Sequence, residues 1–272
     1  MRPSILAGLF FALTQLAPRW RAPLWRFWYD TLARRDLSDD LLFMNYGFDD
    51  GTRTLQLQSV DEPFRYAIQL YAATLQALPV RGADVLEVGS GRGGGGSYVL
   101  RYCQPRTYTG VDLSPAAIAR CRRELSVPNA EWLEGRADDL PAKPSSVDIL
   151  LNVESSHSYP SMPAFLAEVH RVLRPGGYFA FTDLRKDDQI PELEGQLDAS
   201  GLKRVRTAEI TASVVRALDG ITQLRNRQIE THVPKLYRAA FRDFAGVRDS
   251  ALYKLLADRR LRYMQWQMQK PS

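Results

Sequence analysis

The sequence predicts an α/β protein built on a seven-stranded, mostly parallel sheet with helices on both faces. Three observations predict it. From residue 83 onward, short apolar runs alternate with segments of helical spacing, as in parallel strands joined by crossover helices. A concentration of glycine found nowhere else in the chain, residues 89–96, follows the first of those runs. A period-two segment, 261–269, closes the chain after a block of helical pattern.

At 272 residues and 45% hydrophobic composition the chain can bury one full core. Lys and Arg number 36 against 31 Asp and Glu, a net charge of +5. That excess is too spread out to argue for nucleic acid as a partner. Cys103 and Cys121 fall in predicted helices without metal-ligand spacing, which fits small buried thiols in a reducing cytoplasm and implies neither a disulfide nor a metal site.

The organisation is read as an N-terminal aromatic segment, 1–60, followed by a domain at 61–272 that carries a helical insertion at about 211–260. Ile5 to Ala17 is an apolar stretch of 13 residues, short of the roughly 20 that span a bilayer and poorly suited to secretory cleavage. Trp20, Trp25, Phe27, Trp28 and Tyr29 are interleaved with Arg19, Arg21 and Arg26. This composition fits peripheral contact with a membrane through residues 1–30, a lid over an apolar substrate, or a helix packed on the core by its aromatics. Residues 39–60 are turn-rich and aromatic, and read as a lid.

The elements follow in order. Asp61-Glu62-Pro63 starts a helix expected to run to about Leu78. Then come strand 83–88, a helix from Gly95 to Tyr102, strand 107–112, a helix from Pro115 to about Leu125, and strand 130–134. Ser114 is placed to cap the second of these helices, with Pro115 where a missing N–H costs nothing. Strand 147–152, helix 161–173 and strand 178–183 come next, and Arg174-Pro175-Gly176-Gly177 stops the helix. A helix near 190–200, a strand at 203–210, helices across 213–260 and a strand at 261–269 complete the chain. Met264, Trp266 and Met268 share one buried face of the last strand.

Ligands of open α/β sheets gather at the carboxyl ends of strands. After the first strand lies Glu87-x-Gly89-x-Gly91-x-Gly93, read as a nucleotide-binding turn because glycine lets backbone wrap closely around a ligand. In a dinucleotide turn the acid follows about 20 residues later, whereas Glu87 precedes the glycines. Asp112 ends the second strand, 19 positions past Gly93, a spacing at which a carboxylate can accept both ribose hydroxyls. After the third strand, the amide of Ala137 and the carboxylate of Asp138 are placed to address an adenine edge. Asn152 to Pro160 is the most polar stretch to follow any strand. It holds His157, one of three histidines, beside Glu154, and these two are the catalytic candidates.

Together, Glu87 to Gly93, Asp112, the Ala137-Asp138 loop, the Asn152 strand end and Leu173 to Gly177 resemble a class I S-adenosylmethionine (SAM)-dependent methyltransferase. More narrowly, the Trp-rich head, Asn45-Tyr46-Gly47, Asp61-Glu62-Pro63, Gly93-Gly94-Gly95, Asn152-Val153-Glu154 with Ser156-His157, Tyr159-Pro160 and Ala180 to Arg185 resemble the bacterial phthiotriol and phenolphthiotriol dimycocerosate methyltransferases, over nearly the full length. The resemblance implies a Rossmann-like fold and SAM as cofactor, held by Tyr46, Glu87, Gly89, Gly91, Asp112, Leu113, Ala137, Asp138 and Asn152. It also implies methylation of a hydroxyl on an apolar, lipid- or polyketide-like acceptor, with His157 as base and Glu154 orienting it or binding the acceptor. Sterol C-methyltransferases share the Tyr-Gly entrance and an acid-to-histidine element, so methylation of an alkene carbon stands as an alternative. A non-methylating SAM-binding cyclase or regulatory protein is another. Two departures stand out: Arg136 replaces the acid of a usual Gly-Asp-Ala loop, moving the adenine contact toward Asp138, and Ala142 stands where an aromatic often follows Leu-Pro.

Overall fold

The strands 83–88, 107–112, 130–134, 147–152, 178–183, 203–210 and 261–269 anticipated from the sequence all form, and they make one sheet. The structure is a computed structural model and describes residues 42–52, 55–233, 235 and 238–272. The Trp-rich segment and its three readings lie outside the described residues.

A 3-10 turn at Ser59–Phe64 leads into α1 (Arg65–Thr74), followed by β1 (Asp84–Val88), α2 (Gly94–Tyr98), β2 (Thr107–Asp112), α3 (Pro115–Glu124), β3 (Ala130–Glu134) and β4 (Val147–Val153). Then come α4 (Met162–Val172), β5 (Leu173–Lys186), α5 (Ile190–Asp198), β6 (Lys203–Glu209), α6 (Thr211–His232), α7 (Arg238–Phe244), α8 (Ala251–Ala257) and β7 (Leu261–Gln269). The strand order is β3-β2-β1-β4-β5-β7-β6, parallel except for β7, which pairs antiparallel with both β5 and β6.

Each face of the sheet buries its own core. Val85, Tyr108, Ile149, Leu151 and Tyr263 pack under α1 and α6, whereas Leu86, Leu150, Phe179, Phe181 and Trp266 pack under α4 and α5. Phe181 stacks between Phe179 and Trp266, with ring centroids 5.1 and 5.0 Å apart. The alternation in β7 therefore hides two faces: Gln265 and Gln267 are as buried as Met264. Gln267 donates to the carbonyls of Thr74 at 3.0 Å and Gln76 at 2.9 Å, and so caps the end of α1. Here α1 ends at Thr74 rather than Leu78, with Ala77 turned to φ +64°.

Ser114 caps α3 as anticipated, its hydroxyl accepting from the Ala117 amide at 3.3 Å. The helix anticipated at 95–102 is shorter. α2 widens into a π-type turn at Val99–Cys103, where Tyr98 and Tyr102 stack at 5.7 Å and Arg101 and Tyr102 both reach Asp61. Helix α4 ends at Val172 just before the Arg-Pro-Gly-Gly stop, and β5 follows at once, with Gly176 at φ +80° turning the chain within its first residues. At the amino ends of the strands, Arg174 bridges Asp148 at 2.6 Å and Asp84 at 2.9 Å, tying β5 to β4 and β1. The opposite, carboxyl edge is left to the cleft.

Candidate active site

The sheet's parallel strands deliver their carboxyl ends to one cleft of about 1190 Å³. Tyr46, Gly89, Gly91, Asp112, Leu113, Ala137, Asp138, Glu154 and His157 line it together. Glu87 and Asn152 stand behind it. The segment 42–46 forms one wall, and α5 and α8 contribute to the others.

The glycine turn divides its labour. A Cβ on Gly91 would meet nothing within 4 Å, so backbone is presented openly to the cleft there. At Gly89, φ +78°, a Cβ would sit 2.5 Å from that of Ser155, which fixes the turn against the end of β4. Asp112 holds the turn from the side, its Oδ2 accepting from the Gly91 amide at 2.8 Å and its Oδ1 from the Ser114 amide at 2.9 Å.

Glu87 is fully buried beneath the turn. Its carboxylate accepts from Tyr71 at 2.8 Å and from Tyr108, and burial raises its pKa to about 7 despite those two donors. Asn152 is also fully buried, and its amide donates to the Val88 carbonyl at 2.8 Å and to Ser155 at 2.8 Å. Both residues set the position of the turn from behind. At the third strand end, Arg136 grips Asp138 with two bonds, 2.8 and 2.7 Å, and this contact holds the carboxylate below its usual range.

Asp183, three residues before the end of β5 and the last residue of the strand anticipated at 178–183, is the residue that sequence reasoning missed. It is wholly buried, yet its carboxyl is held well below the usual carboxylate range: burial would raise its pKa, but the charge of Arg185 and the hydrogen bonds from His157 and Ser156 outweigh that. Its Oδ1 lies 2.8 Å from His157 Nδ1, and its Oδ2 accepts from the His157 amide at 2.9 Å and the Ser156 hydroxyl at 2.6 Å. Of the two roles anticipated for Glu154, orienting His157 or binding the acceptor, the first is not the contact formed at Nδ1, which faces Asp183. The rule that found the other residues, to inspect each strand's carboxyl end, finds Asp183 when carried one strand further.

Glu154 turns elsewhere. With φ +49°, a left-handed backbone unusual for a side chain of this kind, its Oε1 accepts from the Tyr46 amide at 2.6 Å and from the Tyr263 hydroxyl. Burial pushes its pKa well above the usual carboxylate range. The Tyr46 hydroxyl donates to the Phe244 carbonyl at 3.1 Å, so the 42–47 segment is tied at once to the β4 end and to the helical cover.

A protein family described as "methyltransferase domain" matches residues 86–181. The chain is 42% identical over 224 residues to a probable phthiotriol/phenolphthiotriol dimycocerosates methyltransferase 2 of Mycobacterium ulcerans, covering 82% of this chain and 87% of that one. It is 39% identical to a fatty-acid O-methyltransferase of Mycolicibacterium smegmatis, over 90% of this chain and 89% of that one. A solved geranyl diphosphate methyltransferase in complex with SAM superposes with a TM-score of 0.61 at 18% identity, over 85% of this chain and 99% of that one. The sheet is thus the Rossmann-like sheet of class I methyltransferases, of which that solved structure holds SAM. By its sequence over most of its length, the chain belongs to the methyltransferase family that includes the phthiotriol/phenolphthiotriol dimycocerosates methyltransferases.

Proposed function

We propose that the protein transfers the methyl group of SAM to a hydroxyl of an apolar, lipid- or polyketide-like acceptor, with His157 as general base. The observation that carries this reading is the 2.8 Å contact of His157 Nδ1 with the buried, ionised Asp183 on a residue that also lines the cleft. A carboxylate on Nδ1 favours the tautomer that carries the proton there, and leaves Nε2 as the basic atom.

The residues present fit the cofactor. Gly91 offers unobstructed backbone, Asp112 stands beside it as acceptor for ribose hydroxyls, and Leu113, Ala137 and Asp138 follow along the same wall toward an adenine. Gly89, Tyr46, Glu87 and Asn152 complete the proposed set, the last two by setting the turn from behind. SAM supplies a methyl group on a positively charged sulfur, open to in-line displacement by an acceptor oxygen. The protein's largest contribution is alignment, worth about 7 to 11 kcal/mol in favourable cases. His157 then takes the proton of the acceptor hydroxyl, a contribution of about 100- to 10,000-fold.

Glu154 fits the hydroxyl reading: it lines the cleft with its carboxyl held by the Tyr46 amide and the Tyr263 hydroxyl, placed to bind an acceptor hydroxyl. The test is incubation of the full chain with methyl-labelled SAM and a panel of alkylphenols, long-chain alcohols, fatty acids and alkenes. Label on oxygen is expected. Label on carbon would replace this reading with C-methylation, and SAM left unconsumed across the panel would replace it with a non-methylating binder.

A further inference from the structure

Beside the cleft lies a second cavity of about 200 Å³, walled by Phe43, Phe64, Ile221, Leu224, Ile229 and Phe244 among others. We infer that this cavity takes an alkyl chain of the acceptor while the acceptor's reacting end lies in the cleft. The inference rests on the acceptor reading above and adds to it a place for the chain.

Adjacency to the cleft is the first argument. Phe43, Met44, Asn45, Tyr46, Arg92 and Phe244 line both spaces, so the 43–46 segment is a wall common to the two. Tyr46, in that wall, donates its amide to Glu154, three residues from His157 in the same cleft wall. A chain that passes Tyr46 therefore begins next to the proposed reacting centre.

The chemistry of the walls is the second. The Asn45 side chain donates to the Ala67 carbonyl at 3.3 Å and accepts from the Gly47 amide at 2.9 Å. The buried Arg225 guanidinium donates to the Ala245 carbonyl and, at 3.0 Å, to the Asn45 carbonyl. Asn45 and Arg225 thus spend these hydrogen bonds within the wall; Arg92 and Gln228 also line it, and most of the remaining surface offers apolar contact. The volume is the third argument, since 200 Å³ falls short of the roughly 300 to 1,000 Å³ of sites that enclose a whole ligand. It suits a part of one.

Calorimetric titration of the full chain with a series of primary alcohols, butan-1-ol to decan-1-ol, tests the inference without requiring turnover. Affinity should rise about fourfold per added methylene until the cavity is full. Leu224→Trp, at a half-exposed rim position, and Ala245→Leu narrow the cavity from two sides. Each should weaken decan-1-ol binding at least about tenfold and leave butan-1-ol within about twofold. Equal affinity for butan-1-ol and decan-1-ol in the wild-type chain, or an unchanged series in folded variants, would overturn the inference. Failure of the methylation reading would show separately, as SAM left unconsumed.

Discussion

The Nδ1 atom of His157 lies 2.8 Å from Oδ1 of Asp183, a carboxylate with no solvent exposure whose other oxygen takes the backbone amide of the same histidine. One acid thus fixes both the ring and the chain that carries it. Arg185 stands 3.0 Å from that second oxygen and also donates to Ser156 at 2.7 Å, closing the group around Asp183.

Asp183→Asn should lower kcat at least about tenfold while the acceptor KM stays within about threefold, because the substitution disturbs the base without touching the acceptor. It should also cost stability, up to about 3 kcal/mol, since Arg185 is left without its buried counter-charge. Steady-state kinetics and thermal melts of the variant check both. A KM change equal to the kcat change would sink the positioning role.

Glu87 gives a pH signature to stability. Its ordinary pKa of 4.5 is raised by burial to about 7 in the folded chain. Between those values the unfolded chain has released the proton and the folded chain keeps it, so stability is fully supported below about 4.5 and falls as pH rises through about 7, by about 3 kcal/mol in all. Glu87→Gln should flatten that slope. Melting curves from pH 4.5 to 8 for the two proteins check it, and parallel slopes would contradict it.

Asp112→Ala should weaken SAM binding about 10- to 100-fold, by removing charge-assisted hydrogen bonds to the ribose and the brace on the Gly91 amide. Titration of the full chain with SAM measures this directly. An affinity within twofold of wild type would remove Asp112 from the cofactor site.

Much of the fold was legible locally. β2, β3 and β7 begin and end where their apolar patterns do, and the Ser114-Pro115 cap sits as its residues dictate. The carboxyl ends of the first four strands pointed to residues that share one cleft, among them Gly91, Asp112, Asp138 and His157. What stayed hidden depends on contacts distant in sequence. Gln267 binds the end of α1 from 193 residues away, and Tyr263 reaches Glu154 across 109 residues, so neither leaves a periodic trace. The tyrosines that hold Glu87, 16 residues before it and 21 after, belong to a neighbouring helix and strand whose other aromatics read alike as core. Asp183 was hidden for a different reason, since it lies inside a strand that runs on to Lys186 and is not the first residue of a loop.

If His157 is the base for methyl transfer, single-turnover reaction of SAM-loaded wild type and His157→Ala, with an acceptor that the wild type methylates, isolates its effect on the chemical step. The chemical step in His157→Ala should be at least about 100-fold slower, with SAM affinity within about threefold of wild type. Equal single-turnover rates in the two proteins would contradict it.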